Sequence, residues 1–238
     1  MGRNSYFQFK QFKILQEKAA MKVNTDGILL GVWVNLEGAK TILDVGTGTG
    51  LIALMLAQRI ESQITAIEID QNAADEAVQN VRNSKWHNRI SVQNCSFQDF
   101  SATKQRKFDL IVSNPPFFSN SLKNTNPHLS MARHNHLLSF NDIIFGAKML
   151  LSEKGKLALI LPFNLANEFI DESQSENLFL SRFTEVRPFS DKEPNRCLME
   201  FERNPQVLQK TQLSIYNDSK NEYSEEYIKL TRNFYLKF

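Results

Sequence analysis

Cysteine is scarce in this chain: Cys95 and Cys197 are the only two in 238 residues, and they form neither a CxxC pair nor a zinc spacing. A disulfide framework is therefore not expected, and a reducing cytoplasm is the expected compartment. Both thiols are read as small, buried apolar residues. Long hydrophobic runs are missing as well. The longest candidates, Leu29 to Val34 and Leu157 to Phe163, fall well short of the roughly 18 apolar residues that cross a bilayer. Arg3, Lys10, Lys13, Glu17, Lys18 and Lys22 interrupt any apolar core of a secretion signal near the start. A soluble protein is expected. Neither sign of charge dominates, since 28 Lys+Arg face 26 Asp+Glu, and hydrophobic residues make up 42%. That balance argues against bulk disorder, and the length suits one generous domain or a domain with a small appendage.

From Thr41 onward, short apolar runs alternate with longer segments of helical period, the pattern of a parallel α/β sheet covered on both faces. Thr41 to Val45, Ile64 to Glu68, Ile90 to Gln93, Phe108 to Ser113 and Lys156 to Leu161 are the expected core strands. Thr49 to Ile60, Gln71 to Ser84 and Asn141 to Leu151 are the crossover helices. Asp70 is placed to cap the second, and Ser139 or Asn141 the third, with Gly155 marking the turn back into a strand. Arg182 to Phe189 and Arg196 to Arg203 read as two further strands joined by a turn, and Gln212 to Tyr216 as a third, giving an antiparallel edge. Ser119 to Pro127 reads as a long loop. The residues before the first core strand are read as an extension with a helix over Asp26 to Val34.

Ile42-Leu43-Asp44-Val45-Gly46-Thr47-Gly48-Thr49-Gly50-Leu51 sets three alternate glycines between the first strand and the first helix. Such a loop lets a ligand approach the backbone without meeting a Cβ. A dinucleotide fingerprint would need its third glycine where Leu51 stands, so nicotinamide cofactors lose ground. Glu68 ends the second strand 24 residues after Asp44, where a carboxylate can accept both hydroxyl hydrogens of a ribose. With these motifs the sequence resembles the class I S-adenosylmethionine-dependent methyltransferases. The resemblance implies a Rossmann-like fold, with a seven-stranded, mostly parallel sheet, an antiparallel C-terminal edge strand and helices on both faces. It further implies one domain over residues 1–238, made of an N-terminal extension (1–40), a cofactor-binding core (41–163) and the C-terminal part of the sheet (164–238). S-adenosyl-L-methionine is the implied cofactor. Gly46, Gly48 and Gly50 would line its methionine and ribose portion, Asp44 would face its ammonium and Glu68 its ribose. Ser96 stands where the family commonly has an adenine-contacting acid, so Ser96, the backbone and Phe97 are expected around the adenine, with Asp99 a displaced substitute.

The fourth strand ends in Ser113-Asn114-Pro115-Pro116-Phe117, at the edge where α/β sheets place ligands. Paired prolines stiffen the chain and remove backbone donors, leaving the Asn114 side-chain oxygen and the Pro115 carbonyl to accept from an amino group. Phe117 offers a flat surface on which a planar substrate can stack. The tetrapeptide resembles the [DNS]PP[YFW] signature of methyltransferases acting on amino or amide nitrogen. It selects N-methylation without choosing among adenine, guanine and glutamine.

Ala19-Ala20-Met21-Lys22-Val23-Asn24-Thr25-Asp26-Gly27-Ile28-Leu29-Leu30-Gly31-Val32-Trp33 narrows the choice, together with Tyr6 to Phe12, Ala132-Arg133-His134 and Leu138-Ser139-Phe140. These stretches resemble the tRNA1(Val) adenine N6-methyltransferases. The resemblance implies methylation of N6 on the adenosine just 3′ of the anticodon in a valine tRNA, with Thr25 and Asp26 over the cofactor pocket. Residues 1–25 and 104–136 each carry a net +4, consistent with RNA, and Lys10, Lys13, Lys22, Lys123 and Arg133 are the candidate phosphate contacts. His128, His134 and His136 lack a convincing further ligand, so no metal is expected. No membrane contact and no obligate protein partner are inferred either. The rival readings are a release-factor glutamine methyltransferase, a ribosomal guanine N2-methyltransferase and a nucleotide-binding module without catalysis.

Overall fold

The computed structural model describes residues 5–103, 106–116, 138–217 and 222–237. A hairpin of β1 (Tyr6–Gln8) and β2 (Lys13–Leu15) leads into α1 (Thr25–Trp33). The alternating core follows: β3 (Thr41–Val45), α2 (Leu51–Arg59), β4 (Gln63–Glu68), α3 (Gln71–Arg82), β5 (Ile90–Asn94), α4 (Phe97–Thr103) and β6 (Phe108–Ser113). Beyond it come α5 (Phe140–Leu150), β7 (Leu151–Pro162), α6 (Ala166–Ser175), β8 (Phe179–Phe189), β9 (Arg196–Glu202), β10 (Gln209–Tyr216) and α7 (Glu225–Thr231). The expected helices α2, α3 and α5 form, and their caps follow side-chain chemistry. Asp70 accepts from the Ala73 amide at 2.8 Å, and Ser139 exchanges hydrogen bonds with Asp142 in a capping box. Among the described residues no helix is long and apolar enough to cross a membrane.

The main sheet runs β10-β8-β9-β7-β6-β3-β4-β5. Strand order reverses at β3, which pairs in parallel with β4 on one side and β6 on the other. The two faces follow from alternation along each strand. Ile42, Leu110, Val112, Ala158 and Ile160 pack towards α1, α2 and the hairpin, while Leu43, Ile111, Leu157 and Leu159 pack towards α4, α5 and α6. The N-terminal extension is part of this core, because Phe9 and Ile14 are completely buried within it.

The α/β architecture with helices on both faces matches the expectation, and three details differ. Among the described residues the sheet has eight strands instead of seven, and its outermost strand β10 runs parallel to β8. The antiparallel strand is β9, which fills the gap between β7 and β8. A strand left at the rim would expose a row of unpaired backbone groups, and β8 and then β10 cover β9 on its outer side. The third difference concerns Gly155, which lies inside β7 and not in a turn before it. There the register against β6 jumps from Phe108↔Leu151 to Leu110↔Lys156. A Cβ at Gly155 would sit 2.7 Å from the Phe108 carbonyl oxygen and 2.9 Å from the Ser152 amide nitrogen. Glycine is what lets the extra β7 residues bulge this tightly.

Candidate active site

The chain leaves β3 and enters α2 through a loop in which Gly46, Gly48 and Gly50 have φ of 71°, 56° and 83°. These left-handed conformations strain any residue with a Cβ, so the loop surface is bare backbone. Asp44 braces it from below. The carboxylate is completely buried; its Oδ2 accepts from Thr47 Oγ1 at 2.6 Å and from the Ala53 amide at 3.1 Å, and its Oδ1 has no partner among the described residues. Burial pushes the Asp44 pKa up from 3.8 to about 7 against the lowering effect of those two bonds, with the negative charge of Glu68 adding to the rise.

Glu68 at the end of β4 holds the loop from the side. Its Oε2 accepts from the Gly48 amide at 2.9 Å, and its Oε1 accepts from the Asp70 amide at 2.9 Å. Each oxygen keeps lone-pair capacity for a further donor. Asn94 at the end of β5 secures that corner by donating to the Glu68 carbonyl at 2.9 Å.

A cleft of about 260 Å³ opens at this edge of the sheet; Gly46 to Thr49, Glu68, Ser96, Phe97, Asn114 and Pro116 line it, whereas Gly50, at the start of α2, and Pro115 do not. Parallel pairing aligns Val45 with Ser113, and the Ser113 hydroxyl donates to the Val45 carbonyl at 3.0 Å. Asn114 therefore leaves β6 beside the point where Gly46 leaves β3, about one strand spacing away, roughly 4.8 Å. Pro115 is buried and Pro116 exposed. Ser96 exchanges hydrogen bonds with Asp99, donating to Oδ2 at 2.7 Å and accepting from the amide at 3.0 Å. Ser96 lines the cleft, and Asp99 stands outside the lining. Phe97 is buried against Gly146 of α5 and forms the floor at that end.

Several expected residues stand elsewhere. Asp44 is beneath the loop and not in the cleft wall. Thr25 and Asp26 are not in the wall either; Thr25 is exposed, and Asp26 forms a 2.9 Å ion pair with Arg196 of β9. Their neighbours Asn24 and Gly27 line the cleft instead. Asn24 caps α1 by accepting from the Gly27 amide at 2.8 Å, and capping turns its side chain inward and Asp26 outward. That Asn-x-x-Gly start of an apolar run was a readable signal. Residues Ala19 to Lys22, also missed as a group, form a further part of the wall. Cys197 is buried, its thiol pushed up to about 12, whereas Cys95 is half-buried and lines the cleft. Of the basic candidates Lys22 lies at the cleft, Lys13 sits 4.4 Å from the Tyr6 ring centroid, and Lys10 donates to the Arg232 carbonyl at 2.6 Å. Phe117, Lys123, Arg133, the Ser119 to Pro127 loop and the three histidines of that region lie outside the described residues.

A bare glycine cradle, a carboxylate that anchors it while keeping acceptor capacity, and a buried oxygen still without a donor fit a nucleoside-bearing cationic cofactor. Comparison with known proteins agrees. The family described as Methyltransferase small domain matches residues 26–179. A tRNA1(Val) (adenine(37)-N6)-methyltransferase of Trichodesmium erythraeum is 46% identical over the whole of both chains. Enzymes of the same name from Parabacteroides distasonis (43% identical, 98% of this chain and 99% of that one) and Haemophilus influenzae strain PittEE (45%, 98% and 100%) are similar to it as well. Among solved structures, a predicted O-methyltransferase from Agrobacterium tumefaciens superposes with a TM-score of 0.70 at 21% identity, covering 88% of this chain and 96% of that one. Pyrococcus horikoshii TYW2 in complex with MeSAdo does so at 0.57 and 11%, covering 86% and 74%. These two likenesses concern the fold. Full-length similarity at this level, on a sheet that ends in a glycine cradle beside Asn-Pro-Pro, makes the chain a member of the tRNA1(Val) (adenine(37)-N6)-methyltransferase family.

Proposed function

We propose that this protein methylates N6 of adenosine 37 in tRNA1(Val), using S-adenosylmethionine, in the cytoplasm. One observation carries the reading: the glycine cradle with Glu68 and the amino-accepting Asn114 border a single cleft. The substrate comes from the names of the full-length relatives. S-adenosylmethionine supplies a methyl carbon made electrophilic by its sulfonium sulfur. Gly46 and Gly48 would hold its methionine and ribose portions against backbone, with Gly50 turning the chain into α2. Glu68 accepts from the ribose hydroxyls with the lone pairs its two amide bonds leave over. Ser96 and Phe97 would flank the adenine end, and a cationic group bound above the loop would favour the charged form of Asp44.

Asn114 Oδ1 and the Pro115 carbonyl accept the two protons of the substrate's amino group. Holding both protons on one side opposes delocalisation of the nitrogen lone pair into the ring and directs it at the methyl carbon. In-line positioning supplies much of the remaining acceleration. An amino nitrogen that has gained a methyl group is acidic and would release one proton to water, so no strong base is needed. Phe117 provides the stacking face for the base, which rotates out of the anticodon loop to reach the pocket. The test is nucleoside mass spectrometry of purified valine tRNA before and after incubation with protein and S-adenosylmethionine. A new N6-methyladenosine at position 37 is expected; methyl transfer only to ribosomal RNA or to a release factor would overturn the reading.

A further inference from the structure

Ala19 to Lys22 have no regular secondary structure, yet they form part of the cleft wall. They are held from α3 by two polar residues on a face that otherwise carries Ala73, Ala77 and Val81. Glu76 is 3% exposed. Its Oε1 accepts from the amides of Glu17 at 2.7 Å and Lys18 at 3.1 Å, and its Oε2 accepts from the amide of Ala19 at 3.0 Å. One turn further along, Asn80 is 1% exposed. Its Oδ1 accepts from the Leu15 amide at 2.8 Å, while its Nδ2 donates to the carbonyls of Leu15 and Thr49, both at 2.9 Å. Gln16 Oε1 closes the segment by accepting from the Val23 amide at 2.9 Å.

A buried carboxylate and a buried amide on an apolar helix face are costly unless fully bonded, and these two spend their bonds on one strap of backbone. Asn80 also reaches Thr49 in the glycine loop, so it fixes the spacing between two walls of the same cleft. We propose that Glu76 and Asn80 are positioning residues for the methyl donor: they hold the 15–19 backbone so that residues 19–22 form a rigid wall for the bound cofactor. The inference rests on the reading of this cleft as the donor site. The RNA-facing group, Asn114, touches neither residue in the hydrogen-bonding scheme above, so the effect of loosening the strap falls on donor binding.

The experiment uses the full chain and the variants Glu76→Ala, Glu76→Gln and Asn80→Asp. S-adenosylhomocysteine affinity is measured by calorimetry, donor and tRNA KM and kcat by methyl transfer, and exchange at the 17–19 amides by hydrogen–deuterium exchange. Glu76→Ala strips three amides of their acceptor, and donor KM and S-adenosylhomocysteine Kd are expected to rise by about tenfold or more. The kcat at saturating donor and the tRNA KM stay within about threefold of wild type. Glu76→Gln keeps the oxygen facing Glu17 and Lys18 and recovers part of the affinity, so it carries the comparison if the alanine variant does not fold. Asn80→Asp, which sets a carboxylate against two carbonyls, behaves like Glu76→Ala. Fast exchange at residues 17–19 with unchanged donor affinity would overturn the inference, as would a fall in kcat alone. Wild-type protein that binds S-adenosylhomocysteine in this Glu76-dependent way but leaves valine tRNA unmethylated would instead overturn the proposed substrate and spare the strap.

Discussion

Asp44 places a completely buried carboxylate at the centre of the fold, and its titration should be measurable as stability. Its pKa rises from 3.8 to about 7 on folding, because desolvation outweighs the hydrogen bonds from Thr47 and Ala53. Between those two pH values the folded state binds more protons at this site than the unfolded state does, so stability falls as pH rises through the window. Below 3.8 the site is neutral in both states and contributes nothing; above 7 the whole penalty is present. About three pKa units at 1.36 kcal/mol each give an upper figure of about 4 kcal/mol between pH 4 and pH 8. Asp44→Asn removes the ionisation while keeping an oxygen that can accept from Thr47 or Ala53. Urea midpoints of wild type and variant, measured from pH 4 to pH 8, isolate the site because every other titrating group is common to both. The variant should gain on the wild type progressively across that range. A gap that stays flat with pH would show that Asp44 keeps an ordinary pKa in the fold, and the argument from burial would be wrong.

Asn114→Ala removes one of the two acceptors for the amino group, and kcat should fall by about 100- to 1,000-fold, the scale of losing one preorganised hydrogen-bonding group. Calorimetric affinity for S-adenosylhomocysteine should stay unchanged, and loss of both together would contradict the division of labour in the cleft. Gly155→Ala drives a Cβ into the Phe108 carbonyl and the Ser152 amide, so urea denaturation should show a loss of about 1–3 kcal/mol, and a neutral result would mean the bulge yields without cost.

The parallel core was legible because its strands are short apolar runs and its helices carry their caps in the sequence, as Asp70 and Ser139 do. Alternate glycines followed by an acid at the next strand end were enough to find the loop and the carboxylate that meet at the cleft. The C-terminal sheet was legible strand by strand but not in order, because alternation reports which residues are buried and not which strand is the neighbour. β9 threads between β7 and β8 for reasons of edge coverage that no local pattern encodes. Asp44 and Asp26 show the same limit at the level of single residues. Both carboxylates are near the cleft in sequence, yet one is committed to Thr47 and Ala53 and the other to Arg196, more than a hundred residues away. Glu76 was unreadable as anything but a helix-surface acid, since its partners are backbone amides, which leave no trace in side-chain pattern.

The proposed role of Asn114 carries an expectation for where RNA would approach. If Asn114 receives a rotated adenine, the base would arrive at the edge where β3, β4 and β6 end, and the phosphates beside it would lie over that edge. Lys22 lines the cleft there. Lys10 borders a separate hollow with Gln58 and Arg59 at the far end of α2, and its Nζ donates to the Arg232 carbonyl. The nine residues of α2 put about 13 Å between that hollow and the glycine loop. We therefore propose that the net charge of the N-terminal segment overstates its contact with RNA, with Lys10 serving the fold and Lys22 as the candidate phosphate contact. Binding of valine tRNA over a range of salt concentrations separates the two. Lys22→Ala should weaken binding and reduce the slope of log affinity against log salt by about one, the signature of one lost phosphate contact. Lys10→Ala should leave that slope unchanged. The reverse pattern would place the RNA on the opposite edge of the sheet, where the amino group of its base could not meet Asn114.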